Sequence, residues 1–491
     1  MYLGIDIGTS SIKIVLIDEN QKVVGLVSQE LSIQQEKLLY SEQHPHEWYE
    51  KVLKALYSIQ QDYPSESSQI CSIGLTGQMH GAVCLDIKGE VIRPAILWND
   101  GRSYQECNDL MSNNQDFEIV GANKVMPGFT APKLLWMKRN EPKLFNRINK
   151  VLLPKDYIRY KLTKEFASDM SDASGTLWMD IAQRKWSSSL LSSCDLKECH
   201  MPMLLEGSDL SGYLRPEIQN ILKAQQKVKV IAGASDNAAG ALSMGIYQEK
   251  DAMISLGTSG VYFVPNQACL PNTKRGLHTF CHALDGLWHQ MGVILSAASA
   301  LSWWKNIVQT HSESELIDSA KKSKYMNTPL FLPYLSGERT PHNNPFAQGA
   351  FIGMTHAPEL GDMVQAILEG VAYAIADCQD TILETGVQIN SISVIGGGSK
   401  SPYWGNIIAS SIHKTLTYHN ESSVGPAFGA ARLAIYENTK ASIEDIFYKP
   451  AISQIIIPKT EMTASLANKL KIYRSTYCQL KTIFQSIGEL S

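Results

Sequence analysis

One short pattern occurs in both halves of this chain, and it limits the folds available more than any other feature. Residues 2–16 read YLGIDIGTSSIKIVL: an apolar run carrying Asp6, a Gly8-Thr9-Ser10 turn, and a second apolar run. Ala252-Met253-Ile254 then repeats the plan, running into Ser255-Leu256-Gly257-Thr258-Ser259-Gly260. Glycines and small hydroxyls at a strand end leave backbone N–H groups free to face an anion. Two such hairpins imply a duplicated domain with a nucleotide between the copies. No Gly-x-x-x-x-Gly-Lys-Ser/Thr sequence offers the alternative phosphate loop.

Between the hairpins lies Lys229-Val230-Ile231, an apolar run that stops at Gly233 and is followed by Asp236 and an alanine-rich segment, Asn237 to Met244. The spacing predicts strand, tight turn and helix, which lifts one carboxylate clear of a sheet. An Asp in that place also suits a helix cap, accepting from the N2 or N3 amide. Asp6, on a matching strand end, turns the reading of Asp236 from cap toward chemistry.

At 491 residues the chain is too long for one core. Apolar residues are 44% and charged ones 19%, the balance of a soluble globular protein. A net charge of −4 without a basic run argues against nucleic acid and a membrane surface as partners. Asp6 interrupts the first apolar run and no stretch of about 18 apolar residues occurs, so neither signal peptide nor membrane span is expected. The nine cysteines are scattered without a C-x-x-C. Reduced thiols in a cytoplasmic protein are expected, and neither Cys194, Cys199 and His200 nor His278, Cys281 and His282 has a partner pair at zinc spacing.

Residues 1–30 read as a meander with a turn at Asp18-Glu19-Asn20, and residues 45–61 as a helix with Trp48, Val52, Leu56 and Ile59 on one face. Two strand ends, Gln78-Met79-His80-Gly81 and Trp98-Asn99-Asp100-Gly101-Arg102, carry polar side chains in the same half as Asp6 and could line one pocket. A backbone-bonded loop histidine is the simpler account of His80 taken alone. Helices are expected over 128–140 and from Lys155 to Leu162, with Ser168 to Thr176 a polar structural loop. Residues 202–228 give a loop and then a helix from Pro216. A boundary near residue 246 divides the chain into domains 1–246 and 247–491. Further expectations are a buried helix over 293–305, Asp362 capping the helix after it, and a strand Ser391 to Ile395 ending in Gly396-Gly397-Gly398. A helix over 427–437 and a closing helix and tail over 456–491 complete the second half.

The chain resembles the FGGY family of carbohydrate kinases over nearly its full length. GFTAPKLLWMKRN (128–140) and GAFIGMTHAPELGDMVQAILE (349–369) fit the family's two signatures. The resemblance implies two actin-like, ribonuclease-H-like α/β domains with a nucleotide cleft between them. It implies that Asp236 is the catalytic base and that Asp6 is the acid near the metal and phosphates. Met79 and His80 match the sugar-binding pair, with Asn237 and Asp100 further polar candidates there. Gly8, Thr9 and Ser10 with Gly257 and Thr258 match the phosphate hairpins, and Gly397 and Gly398 the adenosine motif. Where many relatives have Ala-Gly at the ATP site, this chain has Ala297-Ala298.

The implied chemistry uses ATP and Mg²⁺ to phosphorylate a small sugar. Resemblance in the 78–81, 97–102, 169–176 and 336–342 segments points to D-xylulose, phosphorylated at its 5-hydroxyl, with ribulose, gluconate or glycerol as alternatives. An actin-like ATPase or assembly protein, and a sugar-binding regulator without catalysis, are the readings from other classes. The Met79-His80 pair argues against the first, and the presence of both Asp6 and Asp236 against the second. A homodimer is compatible with the resemblance.

Overall fold

The computed structural model describes residues 1–37, 39–310, 312–323, 328–420 and 425–488. Two seven-stranded sheets organise it. The first contains β1 (Tyr2–Ile7), β2 (Ser11–Ile17), β3 (Val23–Glu30), β4 (Ser72–Gly77), β5 (Leu210–Tyr213), β6 (Lys229–Ile231) and the short β7 (Ala234–Ser235). Their order is β5-β6-β4-β1-β2-β3, with β7 also paired to β4. The second contains β8 (Asp251–Leu256), β9 (Gly260–Asn266), β10 (His278–Cys281), β11 (Trp288–Ile294), β12 (Ser391–Ile395), β13 (Leu416–His419) and β14 (Ile452–Ile456), ordered β10-β11-β9-β8-β12-β13-β14.

The duplication expected from the hairpins is present strand by strand. In the first sheet β2 runs antiparallel to both β3 and β1, β1, β4 and β6 are parallel, and β5 closes the edge antiparallel. In the second, β11, β9 and β8 are antiparallel, β8, β12 and β13 parallel, and β14 closes antiparallel. Strands β1 and β4 are buried along their whole length, as sheets covered by helices on both faces require. The architecture is the two-fold actin-like α/β arrangement.

Among the helices that frame these sheets are α1 (Pro45–Asp62), α2 (Thr130–Asn140), α3 (Pro154–Thr163), α4 (Asp236–Ser243), α5 (Ala298–Val308), α6 (Leu360–Leu383), α7 (Gly425–Thr439) and α8 (Thr460–Gly488). The expected face of α1 packs on the first sheet, Trp48, Val52, Leu56 and Ile59 meeting Tyr157 and Ile158 of α3. The opposite face of that sheet is covered by α4 and by α7, a helix contributed from the second half.

The seating of α7 depends on bare backbone. Gly4 and Gly74 lie side by side in the register of β1 and β4. A Cβ on Gly4 would stand 1.8 Å from the Ala427 carbonyl oxygen, and one on Gly74 1.9 Å from that of Ala430. Gly429, on α7 itself, meets α4 in the same way, 1.9 Å from the Ala239 carbonyl oxygen. The boundary expected near residue 246 therefore divides the sequence without dividing this core. The halves also meet through an apolar cluster that joins Met79 and Phe129 to Phe263, Phe280 and Met291.

Several elements differ from expectation. Ser168 to Thr176 is not a loop: it is a strand end, a short helix and a 3-10 turn, wholly buried. Leu210–Tyr213, read as loop, is the edge strand of the first sheet. The run over 293–305 is split: Val293 and Ile294 finish β11, and α5 begins at Ala298 with only Ala300 and Leu301 buried. Asp362 is not the cap of α6. Glu359 is, and Asp362 at the third helical position accepts from its amide at 2.9 Å. The closing helix α8 holds the loop after residue 332, through Tyr334 Oη donating to Tyr473 Oη at 2.7 Å and His342 stacked on Tyr477 at 3.5 Å. Residues 489–491 of the expected tail lie outside the described residues.

Gly74→Ala is expected to lower unfolding stability by about 2 kcal/mol or more, because the obstacle is helix backbone and cannot rotate away. Urea unfolding measures it; a loss under about 0.5 kcal/mol, the ordinary surface range, would mean that α7 separates freely from the sheet.

Candidate active site

Asp236 is the first residue of α4, directly after β7. Gly233 makes the turn at φ +82°, where any Cβ would meet the Leu75 carbonyl oxygen at 1.9 Å. The N-cap position belongs to Ser235, so Asp236 is not the cap. One of its oxygens, Oδ1, accepts from the Asn237 amide at 2.7 Å and the Asn237 side chain at 2.9 Å. Asn237 thus orients the carboxylate, and Oδ2 remains for a ligand. Burial pushes Asp236 up to about 6 despite those two bonds.

Asp6, on β1, is opposite Lys13 across the first hairpin and beside Thr76 on β4. Burial, and then the charge of Asp236, push it up to about 7, and Lys13 offsets this in part. Its Oδ1 is buried without a hydrogen-bond partner among the described residues. Two desolvated carboxylates that repel one another, one with an orphaned oxygen, fit a divalent cation.

A charged network inside the first half braces the Asp236 turn. Arg159 donates to the Ala232 carbonyl and to Asp156. The Ser235 amide donates to Ser171 Oγ at 2.9 Å, and Ser171 Oγ donates to Asp169 at 2.5 Å. Lys155 contacts Asp156 and Asp169 at 2.6 Å and Asp172 at 3.2 Å. All five charged side chains are fully buried. Burial alone would lower Lys155, but the three carboxylates outweigh it and hold the ammonium above its usual range. Asp172 is raised by burial despite Lys155. The signal for this network was in the sequence as SDMSD and PKDYIR, but its parts are distant in the chain.

The 78–81 and 97–102 loops lie together, joined through Thr9. His80 takes φ +69°, and its Nδ1 lies 2.8 Å from the Gly175 carbonyl oxygen. A carbonyl only accepts, so Nδ1 carries the proton and Nε2 is left as an acceptor. Burial draws the ring well below its usual pKa, which keeps it neutral. Phe129 meets the ring edge-on at 4.7 Å. Thr130 and Lys133 of α2 donate to the His80 carbonyl at 3.1 and 2.9 Å. Thr9 Oγ1 donates to Gln78 and accepts from Trp98 Nε1, both at 3.0 Å, tying the first hairpin to both loops. Met79 is buried beside them.

Asp100 is a correction. Its oxygens accept from the Ser41 amide at 2.6 Å and from the Arg102 side chain at 2.9 and 2.7 Å. It braces the loop and offers no open oxygen to a sugar. The hairpins need refinement too. The Gly8 and Gly257 amides close their own turns onto Ser11 and Ser259. The amides of Thr9, Ser10, Thr258 and Ser259 have no backbone acceptor among the described residues. The second hairpin is held by the amides of Ala297 and Ala298, each 2.9 Å from its carbonyls. At the end of β12, Gly397 opens to free space, whereas Gly398 packs against Leu256 and Trp404.

The family assignment follows from sequence comparison as well as geometry. The FGGY carbohydrate-kinase N-terminal domain matches residues 1–243, and the C-terminal domain of the same family matches residues 252–437. The chain belongs to the FGGY family of carbohydrate kinases and is a phosphotransferase with an alcohol acceptor. It is 44% identical to the xylulose kinase of Escherichia coli K12, over 98% of this chain and 99% of that one. The xylulose kinase of Bacillus subtilis 168 is 33% identical over 98% of this chain and 97% of its own length. A solved structure described as a xyloylose kinase from Brucella ovis superposes with TM-score 0.95 at 44% identity, covering 98% of this chain and 99% of that one. No helix among the described residues is long and apolar enough to cross a membrane.

A carboxylate can act as a base only when ionised, so if Asp236 has that role its pKa, raised to about 6, sets a loss of activity on the acid side. We expect kcat/KM to be flat above about pH 7 and to fall about tenfold per unit well below pH 6; flat activity down to pH 5 would remove Asp236 as the group that titrates. In the brace, Lys155→Met is expected to cost about 3–5 kcal/mol by leaving carboxylates buried and unpaired, read as a lowered denaturation midpoint.

Proposed function

We propose that this protein transfers the γ-phosphoryl group of ATP to the terminal 5-hydroxyl of D-xylulose, giving D-xylulose 5-phosphate. The observation that carries this reading is the full-length identity to xylulose kinases, joined to a site holding both carboxylates and the Met79-His80 loop. Positioning and charge neutralisation dominate phosphoryl transfer, with little covalent chemistry for the protein to perform. Asp236, oriented by Asn237, faces the acceptor hydroxyl and takes its proton as the phosphoryl group transfers. His80 accepts a sugar hydroxyl through Nε2, with Met79 forming the apolar wall beside it.

The free amides of Thr9, Ser10, Thr258 and Ser259 hold the phosphates, and the open backbone at Gly397 admits the adenosine. Asp6 would hold Mg²⁺, which supplies neutralisation of the phosphate charge when bound with the nucleotide. On this reading residues 1–246 hold the sugar and residues 247–491 the nucleotide, and closure of the halves excludes water as an acceptor. The protein acts in the cytoplasm.

Asp236→Asn should reduce turnover by about 10²–10⁴-fold with an unchanged melting temperature. A coupled ADP assay over D-xylulose, D-ribulose, D-gluconate and glycerol tests the substrate. A higher kcat/KM for any of the other three would remove D-xylulose as the substrate and leave the kinase assignment standing.

A further inference from the structure

The loop between residues 332 and 345 brings a cation from the second half to the sugar loops of the first. Arg339 places its guanidinium 5.9 Å from the Trp98 ring centre. Its Nη2 lies so close to Gly128 that a Cβ there would stand 2.8 Å away. Every other arginine has an ion pair or a carbonyl acceptor. Arg339 has neither through its side chain among the described residues, although it is largely enclosed.

The basic side chains around it are Lys133 and two buried, neutral imidazoles, His80 and His278, and Glu338 is the acidic group that bears on it. The acidic neighbour, Glu338, is pushed up to about 8 by burial, so it is largely protonated at neutral pH. Its Oε1 is already bonded to the amides of Leu295 and Arg339 at 3.0 and 2.8 Å. Arg339 is not among the groups that shift Asp6 or Asp236. Its contacts with Trp98 and Gly128 put the guanidinium beside the 97–102 loop and the start of α2.

A guanidinium only donates. The partner that completes it is an accepting oxygen from outside the chain, and in a ketose the carbonyl oxygen is the one that accepts without also donating. We infer that Arg339 is a substrate-binding residue contributed by the nucleotide-side half, and that it binds the carbonyl oxygen of a ketose at the end away from the transferred phosphoryl group. This deepens the D-xylulose reading and rests on it. It also gives the sugar a contact to each half, His80 on one side and Arg339 on the other.

The test measures KM for D-xylulose, KM for ATP, and inhibition by xylitol, which carries a hydroxyl where the ketose has its carbonyl. Arg339→Ala should raise KM for D-xylulose about 10- to 100-fold, with ATP KM and xylitol Ki moving less than about threefold. Arg339→Lys, which keeps the charge and loses the fork, should fall between. A D-xylulose KM within about twofold of wild type, an equal rise in xylitol Ki, or an effect on ATP instead would overturn the assignment. If Arg339→Ala does not fold, Arg339→Gln and Arg339→Lys decide by the same comparison. Wild type separates the two readings: no turnover of D-xylulose removes the proposed substrate and the ketose assignment with it, whereas normal turnover leaves only the role of Arg339 at stake.

Discussion

Everything at the cleft depends on how closely α7 can approach the first sheet. Gly4 and Gly74 form a patch without side chains, and α7 lies on it with carbonyl oxygens where Cβ atoms would otherwise be. Protein interiors are too dense to absorb such an intrusion. Because α7 comes from the second half, this contact ties the two duplicated units into one structure. Gly429 then brings α7 against α4, the helix that begins at Asp236. The carboxylate is positioned by backbone packed on backbone, which leaves its environment little freedom to relax.

That rigidity matters because the site is electrostatically uncomfortable. Asp6 and Asp236 are both desolvated, and the charge of Asp236 bears on Asp6. Left to itself, such a pair would relax by swinging apart or admitting water. The Lys155 and Arg159 network resists the first by fixing the Ala232 carbonyl and the Ser235 amide just before Asp236. On the proposed reading, a cation arriving with the nucleotide would remove that discomfort.

Much of this was legible from residues alone, and the failures fall where pairing or element ends are set by the fold. The paired hairpins, the strand-turn-helix at Asp236 and the buried face of α1 are local patterns, and local patterns survive folding. Asp100 and Arg102 are two residues apart and read as two available polar groups, whereas in the fold they satisfy one another. Ser168 to Thr176 reads as a loop because its counter-charges sit on α3, in another segment. The run over 293–305 is apolar throughout, and composition alone could not show where β11 ends and α5 begins. Gly4 and Gly74 have no meaning separately; they acquire one when β1 and β4 lie in register.

The closing helix gives the molecule a temporal order. Arg339 sits between Tyr334 and His342, and both of these lean on α8 through Tyr473 and Tyr477. During synthesis α8 is the last described element to emerge. A nascent chain has Asp6, His80 and Asp236 in hand well before the loop that carries Arg339 has anything to rest against. The loop that carries Arg339 is thus the last part of the proposed site to gain its support, α7 having emerged to seat Asp236 before α8 follows.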